Sequence, residues 1–218
     1  DATRFRAELN KDALQKIILL AQTLKSHGIE IKYLDMGGGL GIPYKNEHPP
    51  NPDELSRAIL PLLKDGRFNL IIEPGRSIAG NAGIFITKVL YLKKHLQKEF
   101  VIVDGGMNDL IRPSLYNAYH NVLPLRKNNR KKILADIVGP ICESGDFLAK
   151  NRELNRLSQG DFIALMSAGA YGFTMSSNYN SRLKVAEVLV KDKEFYVIRD
   201  REKYKDLLKG TKIPEFLK

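Results

Sequence analysis

The 218-residue sequence contains a single cysteine, Cys142, so no internal disulfide can form and a reducing, cytoplasmic setting is expected. Its four histidines, His27, His48, His95 and His120, lie far apart, and none forms a recognisable ligand pair with Cys142, which argues against a metal centre. No apolar run approaches the roughly 20 residues needed to cross a bilayer, and the charged start Asp1-Ala2-Thr3-Arg4-Phe5-Arg6 is not a signal peptide, so a chain without a membrane partner is expected. A dinucleotide fingerprint is also missing: Gly37-x-Gly39 is followed by Ile42 where the third glycine would stand, and Pro43 and a proline-rich turn replace the helix that should follow. Internal repeats and low-complexity tracts are absent.

What is present is enough apolar residue, 43%, for a buried core, and 35 Lys plus Arg against 25 Asp plus Glu, a net charge of +10. Such a balance attracts nucleic acid or simply keeps a protein soluble. The densest cluster, Arg126-Lys127-Asn128-Asn129-Arg130-Lys131-Lys132, lacks interleaved aromatics and falls where a turn between strands is expected. It reads as a solvated loop, and no nucleic-acid partner is expected.

From Phe5 to about His27, apolar residues recur at Leu9, Ala13, Leu14, Ile17, Ile18, Ala21 and Leu24, the spacing of an amphipathic helix that Gly28 ends. Ile29 to Met36 reads as a strand. After Pro49-Pro50-Asn51-Pro52, a helix opens at Asp53 and runs from Glu54 to Lys64, then passes through Asp65-Gly66 to a second strand at Asn69 to Glu73. This alternation, with glycine-rich loops at the carboxyl ends of the strands, is the pattern of a parallel α/β sheet or barrel whose active site lies on that edge. From about Gly83 the pattern changes. Strands are expected at Ile84 to Leu92, Phe100 to Asp104, Ile133 to Val138, Asp161 to Met166, Leu183 to Val190 and Glu194 to Ile198, with a short helix around Arg201 to Leu208. The expectation is therefore α/β plus all-β: residues 1–82 as barrel-type units and residues 83–218 as a mainly antiparallel β domain.

Four segments carry candidate chemistry. In Gly37-Gly38-Gly39-Leu40-Gly41, bare glycines after a strand let backbone N–H groups approach a phosphate, though such a turn is as often only structural. Glu73-Pro74-Gly75-Arg76-Ser77 ends the next strand and adds a guanidinium suited to a phosphate or carboxylate. Loops ending two consecutive parallel strands should be neighbours, so one anionic ligand can span both. In Asp104 to Tyr116, Arg112 and Tyr116 are four residues apart and would face the same way on a helix. Pro113 makes a regular helix doubtful there, and an ordinary loop is the simpler reading. A lone cysteine is usually a small buried hydrophobe, but Cys142 stands in Val138-Gly139-Pro140-Ile141-Cys142-Glu143-Ser144-Gly145-Asp146. Glu143 can hold a substrate ammonium while the thiol delivers a proton. Tyr171, in Gly169-Ala170-Tyr171-Gly172-Phe173-Thr174-Met175-Ser176-Ser177-Asn178-Tyr179-Asn180, can hydrogen-bond a phosphate or substrate through its hydroxyl.

Taken together and in this order, the four segments resemble those of the diaminopimelate decarboxylases, pyridoxal-phosphate (PLP) enzymes of lysine biosynthesis. The resemblance implies an alanine-racemase-like architecture, the last units of a PLP-binding (β/α)₈ barrel followed by the β domain. It implies that Gly38, Gly39, Glu73, Pro74, Gly75, Arg76 and Tyr171 bind PLP, and that Arg76, Arg112, Tyr116, Glu143 and Tyr171 hold the substrate. Cys142 then reprotonates the substrate carbon after CO₂ leaves. Sites are expected at a homodimer interface, with Cys142 and Glu143 serving the partner's pocket. The family's cofactor-linking lysine lies upstream of anything present, so the chain is expected to be a C-terminal part and inactive in isolation. An ornithine or arginine decarboxylase ranks second, because those relatives typically carry aspartate after the cysteine where this chain has Glu143. A non-catalytic, partner-binding fragment is the alternative from another class.

Overall fold

In the first of two units, Asp1–Ile84 with Met166–Ala170, the helical periodicity of the sequence is converted directly into a core. The computed structural model describes residues 7–64, 68–96 and 98–217, with backbone alone for 7–10. The expected helix start at Phe5, the Leu9 side chain and the Asp65-Gly66 turn lie outside the described residues. Helix α1 (Ala7–Ser26) places Leu14, Ile17, Ile18 and Ala21 against Leu34 of strand β1 (Tyr33–Asp35), Leu40, and Leu55 and Ile59 of helix α2 (Pro52–Leu63). Fully burying an aliphatic side chain of this kind contributes about 1.5–3 kcal/mol, which is what fixes α1 on α2 and β1.

Helix α2 begins at Pro52, one residue before the expected Asp53. Asn51 is its N-cap: the Asn51 side chain accepts from Glu54 N at 2.9 Å, and the Glu54 carboxylate accepts from Asn51 N at 2.8 Å. Pro52 suits the first turn because its missing N–H would have no partner there. Strand β2 (Asn69–Ile71) pairs parallel with β1, Leu34 opposite Leu70, so the two glycine-rich loops leave the sheet side by side. Only three residues of each strand pair, which shortens the strand expected at Ile29 to Met36. Helix α3 (Gly75–Ala79) and a 3₁₀ turn at Gly80–Ala82 follow. Met166–Ala170 joins this unit through Ala168 N to Gly83 O at 2.8 Å and Gly169 N to Gly80 O at 3.0 Å.

The second unit, Phe85–Leu165 with Tyr171–Lys218, is built on a six-stranded sheet. Its strands are β3 (Phe85–His95), β4 (Lys98–Val103), β5 (Val122–Pro124), β6 (Lys132–Val138), β7 (Phe147–Asn155) and β8 (Phe162–Leu165), in the order β5-β8-β3-β4-β6-β7. All pairs are antiparallel except β4 with β6, whose connection passes through helix α4 (Arg112–Tyr116) and β5. Contact between β5 and β7 curls the sheet toward closure. Val89, Val101, Val103, Ile137, Leu148, Ile163 and Leu165 are wholly buried inside it. Strands β9 (Glu187–Lys191) and β10 (Glu194–Arg199) form a separate hairpin, followed by helix α5 (Tyr204–Leu207).

Three departures from the sequence reading have local causes. Strand β7 went unanticipated because Asn151, at φ 50°, interrupts its alternation and because Lys150, Arg152 and Glu153 dilute its apolar character. Arg112–Tyr116 is helical despite Pro113, since proline at a first-turn position breaks no helical hydrogen bond. Strand β9 starts at Glu187 rather than Leu183, because Lys184 N donates to the Glu202 carboxylate at 2.8 Å instead of to a neighbouring strand. Among the described residues no helix is long and apolar enough to cross a membrane.

Candidate active site

In the first unit the parallel pairing of β1 and β2 brings Gly38, Gly39, Glu73, Pro74, Gly75 and Arg76 to one edge. Gly37 N donates to Asp35 Oδ1 at 2.8 Å, and Glu73 N donates to Gly37 O at 2.8 Å, tying the two loops together. A Cβ on Gly38 would stand 2.9 Å from the Glu73 carbonyl oxygen, so this approach requires glycine. Among the described residues the N–H groups of Gly38 and Gly39 meet no protein acceptor, and both glycines are exposed. Arg76, half-buried in the first turn of α3, supplies a cation on the same edge. Bare backbone donors and a guanidinium on one edge are a donor set that fits a phosphate.

The second unit presents side chains instead. The loop between β6 and β7 exposes Cys142 and Glu143. One Glu143 oxygen accepts from Gly145 N at 3.0 Å and the other from the Tyr179 hydroxyl at 3.3 Å, so the carboxylate is held in a defined direction. The Glu143 charge, and the hydrogen bond to it, raise the Tyr179 phenol above its usual pKa. Tyr179 lies in a 3₁₀ turn whose Asn180 and Ser181 both take left-handed φ, at 56° and 57°, a strained arrangement for residues other than glycine.

Arg112 and Tyr171 are also brought together, the guanidinium carbon 5.9 Å from the ring centroid. Arg112 is only 4% exposed, and its Nη1 lies 3.0 Å from Nε2 of the fully buried His120. Guanidinium only donates, so that imidazole nitrogen accepts. Tyr171 is 42% exposed and takes φ 62°. Tyr116 is 62% exposed although it stands one turn from buried Arg112, so the two do not share one environment.

Sequence reasoning passed over the polar groups that hold these loops. Asp146 and Asp109 are buried, and burial pushes both carboxyls above their usual pKa in spite of the backbone N–H groups they accept from. Arg182 donates through Nε to Asn108 Oδ1 at 2.9 Å, and Ser177 N donates to Asn108 O at 2.9 Å. Their signal was the density of Asp, Asn and Gly in Asp104 to Asp109 and Gly139 to Asp146, which local reading assigns to turns.

A profile of the family described as "Pyridoxal-dependent decarboxylase, C-terminal sheet domain" matches residues 13–169. The chain is 54% identical over 195 residues to a diaminopimelate decarboxylase of Aquifex aeolicus, covering 89% of the chain and 46% of that relative. It is 50% identical over 198 residues to the diaminopimelate decarboxylase of Haemophilus influenzae, covering 90% and 48%. The crystal structure of diaminopimelate decarboxylase from Helicobacter pylori complexed with L-lysine superposes with a TM-score of 0.88 at 42% identity, covering 94% of this chain and 51% of that one. The chain thus spans about half the length of the curated relatives it matches.

Proposed function

The chain belongs to the pyridoxal-dependent decarboxylase family, and on that premise we propose that its protein converts meso-2,6-diaminopimelate to L-lysine and CO₂. The observation that carries this reading is an exposed thiol, Cys142, beside a carboxylate, Glu143, that two donors hold in place. A proton donor next to an oriented anion suits a substrate with one reacting end and one distal ammonium. Identity of 50% and 54% to relatives named diaminopimelate decarboxylase supports that substrate, as does the L-lysine bound to the Helicobacter pylori relative.

PLP, when bound, supplies an electron sink for the pair left on the substrate carbon as its carboxylate departs. In the first unit, Gly38 and Gly39 offer backbone N–H groups to the phosphate, and the loop Glu73-Pro74-Gly75-Arg76 completes that edge. Each unit supplies further candidates for holding substrate, Arg76 in the first and Arg112, Tyr116 and Tyr171 in the second, where the Tyr171 hydroxyl also suits a phosphate. Glu143 holds the distal ammonium, a charge-assisted contact of about 1.5–3 kcal/mol. Cys142 returns a proton to the carbon that lost CO₂, a role general acids fill with accelerations of about 10²–10⁴-fold. The working form is a cytoplasmic homodimer in which Cys142 and Glu143 of one protomer serve the site of its partner.

The test is CO₂ release by the full-length protein with PLP, on meso-diaminopimelate, ornithine and arginine in parallel. Release confined to meso-diaminopimelate is expected. Release from ornithine or arginine would keep the chemistry and overturn the substrate.

A further inference from the structure

The Cys142–Glu143 loop has no regular structure of its own, so something must set where its thiol and carboxylate point. Its neck is closed by Gly139 N donating to Asp146 O at 3.0 Å, where β6 passes into β7. The Asp146 side chain then turns back into the loop. Its Oδ2 accepts from Ile141 N, the residue before Cys142, at 2.6 Å, and its Oδ1 accepts from Met107 N, thirty-nine residues away in sequence, at 2.7 Å. One buried carboxylate therefore joins the reactive loop to a second loop.

Glycines make the room. A Cβ on Gly139 would stand 2.7 Å from Asp146 Cγ and 2.5 Å from Oδ1, and one on Gly106 would stand 3.0 Å from Oδ1. The second loop is itself cross-bonded. Asp109 N and Leu110 N donate to Gly106 O at 2.9 and 3.2 Å, Gly106 N donates to Asp109 Oδ2 at 2.9 Å, and Arg182 clamps the same turn through Asn108 and the Asp104 carbonyl. Burying an ionised carboxylate is costly unless its oxygens are bonded, so a group this enclosed, with glycines on both sides of it, is a built feature.

We infer that Asp146 is a positioning residue that sets the direction of Cys142 and Glu143 by fastening their loop to the Gly106-Met107 turn. The inference rests on the reading of Cys142 and Glu143 as substrate-facing groups. An asparagine of the same shape keeps one acceptor but turns an N–H₂ toward the other backbone N–H, releasing one of the two anchors. The loop then samples several poses, and kcat falls although the fold and the cofactor edge in the first unit are untouched.

The experiment compares full-length, PLP-loaded parent, Asp146→Asn, Gly139→Ala and the double variant, with Cys142→Ala as reference. Steady-state decarboxylation, PLP absorbance and thermal midpoint are read for each. Expected are a drop in kcat of about tenfold or more in each single variant with PLP absorbance retained, and a double variant no worse than the weaker single one, because both changes break the same anchor. If Asp146→Asn does not yield folded protein, Gly106→Ala, whose methyl presses on the same carboxylate oxygen, takes its place with the same expected drop. A folded Asp146→Asn or Gly106→Ala variant with kcat within twofold of the parent overturns the inference, provided Cys142→Ala is severely slowed. Full activity of Cys142→Ala itself overturns instead the reading on which the inference rests.

Discussion

The loops after β1 and β2 and the loop between β6 and β7 present opposite kinds of surface. The first pair offers backbone: Gly38 and Gly39 expose N–H groups, and a side chain at Gly38 would strike the Glu73 carbonyl 2.9 Å away. The second offers side chains: Cys142 and Glu143 stand out from a loop whose backbone is occupied in holding itself, with Gly139 N, Ile141 N, Glu143 N, Gly145 N and Asp146 N all bonded within residues 139–146. A phosphate is recognised well by backbone donors, which need only space. Proton transfer and substrate choice need particular functional groups, and those need anchors such as Asp146 and Tyr179. Changes at Gly38 and Gly39 should therefore alter cofactor affinity, and changes at Cys142 and Glu143 should alter turnover and substrate.

The largest separation is expected from Cys142→Ala in the full-length protein. Turnover should fall by about 10²–10⁴-fold, the usual contribution of a positioned proton donor, while PLP titration gives an unchanged affinity. Loss of PLP in this variant would erase the distinction between the loops. Next is Gly38→Ala, whose methyl forces the Glu73 loop away at a cost of about 1–3 kcal/mol. PLP should bind correspondingly more weakly, with kcat at saturating PLP near the parent value. A normal PLP affinity with reduced kcat would reverse the assignment.

The contrast also explains what could be read from the chain. Glycine loops after apolar strands mark a close approach of backbones, because nothing but glycine allows the approach that Gly38 makes to Glu73. The parallel pairing of β1 with β2 followed from helix–strand alternation, though not its register, and the core of α1 from the spacing of Leu14, Ile17 and Ala21. Strand β5 is only three residues long, and β7 is broken by Asn151 in the left-handed region, so neither leaves a period for local reading to find. Asp146 was invisible for another reason. Its partner Met107 is thirty-nine residues distant, and an Asp after Ser144-Gly145 looks like any turn residue until the fold closes around it. The same holds for Arg182 with Asn108, 74 residues apart. Candidate chemical groups could be picked out of the sequence, whereas the buried groups that orient them could not.

The most direct measurement is a crystal structure of the full-length protein with PLP and L-lysine. The account predicts the phosphate within hydrogen-bond reach of the Gly38 and Gly39 N–H groups, and the free ammonium of lysine on a Glu143 carboxylate still held by Tyr179 and Gly145. A phosphate held elsewhere, or a lysine ammonium bound by other residues with Glu143 turned to solvent, would contradict it.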